Sequence, residues 1–212
     1  MTARLLSVNV GRIRAAPYGN PSTGRTAIDK GPVAGPVAVC TLGVAGDEQD
    51  HPEHGGIDKA VYAYARDDAL WWESELARSL QPGAFGENLT TVGLDVTGAE
   101  VGERWRIGTV VLEVSEPRIP CKVFAGFWAV PDLVKRFTAG GRPGGYLRVL
   151  TEGELRLGDA VQVVERPGHG VTLGDAFRAR TGQRDLVPRL LDAPQLPVAW
   201  HAWARKVLAT PR

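Results

Sequence analysis

The chain has 212 residues, enough for one substantial core or for one domain with a small appendage. Lys and Arg number 25 against 24 Asp and Glu, so the charge footprint of a nucleic-acid or membrane-surface binder is missing. With 43% hydrophobic and 23% charged residues the composition is that of a soluble globular protein, and two cysteines are too few for a disulfide scaffold. No run approaches the roughly 20 apolar residues of a bilayer span, and the opening MTARLLSVNVGRIR is too polar for a signal peptide. A reducing cytoplasm, where thiols stay free, is the expected location.

Up to about Val164 the chain reads as short strands punctuated by glycine and proline. Strands are expected at Arg4–Val10, Val37–Val44, Ala60–Ala65, Thr109–Val114, Tyr146–Leu150 and Ala160–Val164. Two helices interrupt them. Asp67–Leu80 carries Leu70, Trp71, Leu76 and Leu80 on an approximate helical stripe, and Pro131–Ala139 has proline near its first turn and Gly140 after its end. Turns at this frequency favour a mixed closed β-barrel with peripheral helices over a βαβ layout.

Past Pro167–Gly170 the pattern changes. Thr172 and Asp175 have capping-box spacing, with Gly182 placed to close the helix. Further helical stretches are expected at Asp185–Leu191 and Pro197–Leu208, the last with Trp200, Trp203 and Val207 at i, i+3 and i+7. The expected organisation is a barrel domain over residues 1–167 and a three-helix module over residues 168–212, the module docked on the barrel or built to meet a partner.

The densest chemistry lies in SEPRIPCKVFAG, Ser115–Gly126. Pro120 stiffens the approach to Cys121, and Arg118 and Lys122 supply the flanking cations that favour a thiolate. An apolar run from Val123 predicts a helix, which would put Cys121 beside a helix N-terminus. The plain alternative is a buried, inert cysteine. In GDEQDHPEHGGIDKAVYAY, Gly55-Gly56 permits close backbone approach and Lys59 offers a charge for a phosphate. Asp47, Asp50, His51 and His54 make a sparse metal set, and a solvated turn competes with it. GAFGENLTT places Glu87 and Asn88 beside Gly86, and AGGRPGGYLRVL surrounds Arg142 with glycines ahead of Arg148. This last segment matches neither a P-loop nor a dinucleotide fingerprint. Thiol and cations together suit a phosphate-bearing cofactor that carries a thiophilic metal.

In series, HGGIDKAVYAY, GAFGENLTTVGLDV, GERWRIGTVVLEVSEPRIPC and GRPGGYLRVLTEGELRLGDAVQVV resemble the MOSC domain family, and within it the YiiM-like subgroup with a C-terminal three-helix module. The resemblance implies a mixed barrel of the pyruvate-kinase-barrel-like kind that binds molybdenum cofactor (Mo-molybdopterin). It implies Cys121 as the metal ligand, with His54, Gly55, Gly56, Asp58, Lys59, Gly86, Asn88, Arg118, Arg142, Tyr146 and Arg148 as cofactor contacts. It also implies an oxidoreductase that reduces hydroxylamines and N-hydroxylated bases in a detoxifying role. His54 or Glu87 would be the proton donor. The chain shows no flavin or dinucleotide fingerprint, and two cysteines cannot ligate an ordinary iron–sulfur cluster. Electrons would therefore come from a partner reductase or a flavin or iron–sulfur protein. A cofactor carrier or adaptor, or a sulfur carrier, without its own turnover is the competing reading, and a homodimer stays open. Cys40 matches no motif and is expected in the core.

Overall fold

The computed structural model describes residues 2–50 and 55–210. Among these described residues thirteen strands run in chain order as β1 (Arg4–Gly11), β2 (Arg14–Ala15), β3 (Arg25–Thr26), β4 (Lys30–Pro32), β5 (Val37–Cys40), β6 (Gly43–Val44), β7 (Val61–Ala65), β8 (Leu89–Val92), β9 (Arg104–Ile107), β10 (Val110–Pro117), β11 (Gly145–Thr151), β12 (Gly153–Leu155) and β13 (Val161–Glu165). The helices are α1 (Arg66–Leu76), α2 (Lys122–Trp128), α3 (Leu133–Gly140), α4 (Leu173–Arg180) and α5 (Val198–Ala209). Eight strands form one mixed sheet in the order β13-β9-β10-β11-β7-β8-β1-β4, in which only β7 and β8 are parallel. A three-stranded sheet, β12-β5-β6, and the β2–β3 ribbon accompany it.

The expected closed barrel is not formed. β4 already occupies the outer side of β1 from Asn9 to Gly11, so only the start of β1 is left to meet the far edge. It does so through a single bridge, Arg4 with Ala160, and a few flanking hydrogen bonds, not a ladder. The sheet curls towards closure and stays open. Three expected elements are also revised. The Val37–Val44 strand folds back on itself at Thr41 and Leu42 as the antiparallel pair β5 and β6. Helix α1 stops at Leu76, because Ala77 turns left-handed and its N–H closes on the Glu73 carbonyl. The Asp185–Leu191 stretch splits into two 3-10 turns, Arg184–Leu186 and Pro188–Asp192, since Pro188 has no N–H to continue a helix.

Two apolar clusters flank the sheet. One is mainly aliphatic and joins strand residues such as Leu5, Val61, Leu112 and Leu147 to Val171, Leu173, Ala176, Leu190, Leu196 and Trp200 of the C-terminal segment. Helices this short are marginal alone, so their apolar faces are stabilised by the sheet. Thr172 caps α4 through the full capping box with Asp175 that the spacing predicts. Cys40 is exposed at the end of β5, not in the core, because it lies on the outward side of the Val37–Val39 alternation. The second cluster is aromatic: Tyr62, Tyr64, Trp72, Phe85, Phe124, Trp128, Phe137 and Phe177. Its rings lock together edge-on and stacked, Tyr64 on Phe85 with centroids 3.8 Å apart and Phe85 against Trp128 at 4.7 Å. This cluster seats α2 and so fixes the residue that precedes it, Cys121.

Candidate functional site

Cys121 occupies the extended position before α2, with φ −126° and ψ 173°, and is half-buried. It lies in a pocket of about 700 Å3, open solvent included, whose wall also includes Lys30, Lys59, Tyr62, Asn88, Arg118 and Tyr146. The β2–β3 ribbon forms one lip. Tyr18 in this ribbon packs on Phe127 at 5.9 Å, and Gly126 must lack a side chain because a Cβ there would fall 2.3 Å from that of Tyr18. Arg25 of the ribbon pairs with Asp50 at 3.0 Å, which ties the lip to the loop leading towards the HGG motif.

Charge around the thiol is uneven. Lys30 is clasped by Asp47, and burial lowers its pKa despite that partner. Lys59 Nζ lies 3.6 Å from Glu116 and over the Tyr146 ring, 5.8 Å from its centroid. Arg118 differs from both. It is 6% exposed, sits 4.2 Å from the Phe124 ring centroid and 5.2 Å from that of Tyr62, and donates to the Phe85 carbonyl. Among the described residues no carboxylate forms an ion pair with it. Burial alone would lower the Arg118 pKa; the hydroxyls of Tyr62 and Tyr146 and the Cys121 sulfur offset this and hold it above the usual value. Burial raises the pKa of both tyrosines. A buried guanidinium bordered by groups that are neutral until they lose a proton favours an anion at the pocket floor.

The GEN motif builds the wall. Glu87 is 2% exposed, and burial raises its pKa. Its oxygens accept from Gly83 N (2.7 Å), Phe85 N (3.0 Å) and Thr90 Oγ1 (2.7 Å), so they serve the loop, and Glu87 is not part of the pocket lining. The Asn88 amide donates to Asp47 (2.8 Å) and the Asn9 carbonyl (3.2 Å) and accepts from Tyr62 N (3.1 Å). It knits β1, β7 and the Asp47 loop together. Gly86, at φ 71°, lets the chain turn against Ile28 and Arg118.

Of the residues expected from the motifs, Cys121, Lys59, Gly86, Asn88, Arg118 and Tyr146 therefore line one pocket. Arg142 turns away to Asp68 and stacks on Trp71, 4.9 Å from its centroid, and Arg148 is held by Asp58 (2.6 Å) and Glu113 (3.1 Å). Gly56 starts the turn that carries Asp58 and Lys59, with Gly55 just before it. His54 and His51 lie outside the described residues. Asp47 and Asp50 are spent on Lys30 and Arg25, and among the described residues no group of acidic, histidine or cysteine side chains is placed to hold a metal. Sequence reasoning missed Lys30, Tyr62 and the ribbon residues Asn20, Arg25, Thr26 and Ile28. The available signal was the lone lysine of IDKGP, a charge directly before a Gly-Pro pair.

This geometry can be set beside known proteins. The MOSC domain matches residues 50–162, and the chain belongs to that family. Over 93% of its length it is 33% identical to the uncharacterized protein YflK of Bacillus subtilis, covering 91% of that protein. Protein YiiM of Escherichia coli is 32% identical over 95% of the chain and 91% of its own length. A protein named reductase from Gibberella moniliformis is 34% identical over 92% of the chain, which spans only 35% of that larger protein. Among solved structures, YiiM from Geobacillus stearothermophilus superposes with a TM-score of 0.82 at 32% identity, over 98% of this chain and all of the other. The chain is thus a YiiM-like MOSC protein.

Proposed function

We propose that this protein binds molybdenum cofactor in the Cys121 pocket and reduces N-hydroxylated compounds, hydroxylamines and N-hydroxylated bases, with electrons from a separate reductase in the cytoplasm. The observation that carries the reading is the buried Arg118, which has no carboxylate partner among the described residues and shares a pocket with a half-exposed thiol. The donor set fits the group: a soft sulfur ligand, cations for phosphate, and tyrosine rings for the flat pterin. Cys121 would hold the metal, and Arg118, Lys59, Tyr62 and Tyr146 would hold the pterin and its phosphate. When bound, the cofactor supplies the two-electron chemistry that removes oxygen from an N–OH group and leaves an amine.

The protein's own part is positioning and proton supply. The aromatic cluster fixes α2, which fixes the thiol. Tyr62 is anchored at the other end, where its hydroxyl donates to the Pro143 carbonyl at 2.7 Å. Because the Glu87 oxygens are spent on the loop, this reading assigns proton donation to His54 and loop support to Glu87. The similarity to part of a protein named reductase supports the direction of the chemistry, and the lack of any electron-carrying motif supports an outside donor.

The test is turnover. Protein purified from a cofactor-producing host is reduced by viologen and mixed with hydroxylamine or an N-hydroxylated base. Viologen oxidation with stoichiometric amine supports the reading. Metal-loaded protein that forms no amine would leave a cofactor carrier in its place.

A further inference from the structure

The C-terminal segment reaches the pocket through one buried carboxylate. Along β10, Leu112 and Val114 face the aliphatic core opposite Val149 and Leu147 of β11. Strict alternation would put Glu116 on that same face. A bulge between Val114 and Glu116 leaves Ser115 as the extra residue, so Glu116 pairs with Tyr146 instead. Opposite residues share a face, and Glu116 thus emerges beside Tyr146, on the side covered by the turn that carries Lys59. There it is 7% exposed. One oxygen lies 3.6 Å from Lys59 Nζ, and the other accepts the indole N–H of Trp200 on α5. Trp200 is itself 7% exposed and belongs to the aliphatic cluster, so its ring is locked by packing.

We infer that Trp200 and Glu116 are positioning residues: the docked C-terminal helix fixes the Glu116 carboxylate, which fixes the Lys59 ammonium at the pocket wall. Burial raises the Glu116 pKa and Lys59 opposes that rise, in keeping with a carboxylate that needs both partners to stay ionised in the interior. The bulge costs one ladder pairing, and aiming Glu116 at Lys59 is what the structure gains from it. The C-terminal segment is then part of the pocket's construction, although no residue of it lines the pocket. The consequence for cofactor binding rests on the function proposed above; the relay itself does not.

The experiment is acetic anhydride labelling of the full-length protein at fixed pH without added ligand, read as the Lys59 to Lys135 ratio by peptide mass spectrometry. Lys135 is exposed on α3 and remote from the relay, and serves as the reference. Trp200→Phe and Glu116→Gln should each raise the ratio about two- to fivefold, the range for loss of a partly buried ion pair. An unchanged ratio in either folded variant overturns the relay. Should Trp200→Phe fail to fold, the reciprocal measurement stands: Lys59→Met must shift the Trp200 indole N–H resonance, and an unmoved resonance overturns the relay equally. Normal molybdenum content in Lys59→Met, with labelling as expected in the other variants, would instead remove Lys59 from the cofactor site and leave the relay intact.

Discussion

Two polar regions of this molecule are built from similar residues and close differently. Around α4 the charges balance. Glu100 accepts the amides of Gly168 (3.0 Å) and Gly170 and lies 3.4 Å from His169, while Asp175 holds Arg178 (2.9 Å) and Arg189 (3.7 Å) along with the Thr172 cap. Around Cys121 a remainder is left: Lys30, Lys59 and Arg25 have carboxylates within reach, and Arg118 pairs with none among the described residues. A network that closes on itself contributes stability. One that leaves a buried charge over has a place for a further component, which the proposed function assigns to the cofactor.

The sharpest break of this comparison is Cys121→Ser. It should lower amine formation from hydroxylamine by at least about 100-fold, beyond the effect of outer-shell changes at metal sites, with little change in melting temperature. Arg118→Met comes next. It keeps an apolar stem between the rings of Tyr62 and Phe124 and removes the unmatched charge. Affinity of the cofactor-free protein for pyrophosphate, followed by calorimetry, should fall about 10- to 100-fold, the worth of a charged hydrogen bond. Stability should change by no more than about 1 kcal/mol, since replacing a buried charge with an apolar side chain is often neutral.

The balanced region should respond in the opposite sense. Asp175→Ala removes half of a capping box and two arginine contacts, at a cost of about 1–2 kcal/mol, or roughly 2–8 °C in melting temperature, and leaves pyrophosphate affinity unchanged. Acid should act on the same region more mildly. Burial would raise the pKa of Glu100 and Asp175, but the Gly170, Gly168 and Thr172 amides outweigh it and hold both below the usual carboxylate range. Their stabilisation is therefore complete above the ordinary carboxylate value of about 4 and lost as pH falls through the lowered one. Amide protection at residues 168–175, the exchange rate taken relative to the intrinsic rate at each pH, should fall on acidification below pH ~4, and protection that stays unchanged down to pH ~3 would contradict this sign.

Much of this contrast was legible in the sequence where a local rule decides the outcome. Thr172 and Asp175 announce a capping box by spacing, and the proline before Cys121 with the apolar run after it announces an extended residue entering α2. Of the eight-stranded sheet, β1, β7, β10, β11 and β13 were legible as strands, whereas β4, β8, β9 and the openness of the sheet were not. Closure depends on whether β4 covers β1, a long-range pairing of three residues that no local pattern encodes. At the site, the motifs gave the residues without their roles. Glu87 and Asn88 look like ligand groups because carboxylates and amides bind ligands; only the fold shows their atoms spent on Gly83, Phe85, Thr90, Asp47 and Tyr62. Lys30 and Glu116 went unseen for a related reason. Lys30 reaches the pocket by pairing of β4 with β1, and Glu116 by a bulge that reverses the face its sequence position implies.

The central claim is that Cys121 and the unmatched Arg118 together hold a phosphorylated metal–pterin complex. Its most direct test is the molybdenum and pterin content of freshly purified protein from a cofactor-producing host, for the wild type beside Cys121→Ser and Arg118→Met. The account predicts about one of each per wild-type chain, loss of metal in the first variant and loss of both in the second. Equal content in all three proteins would contradict it.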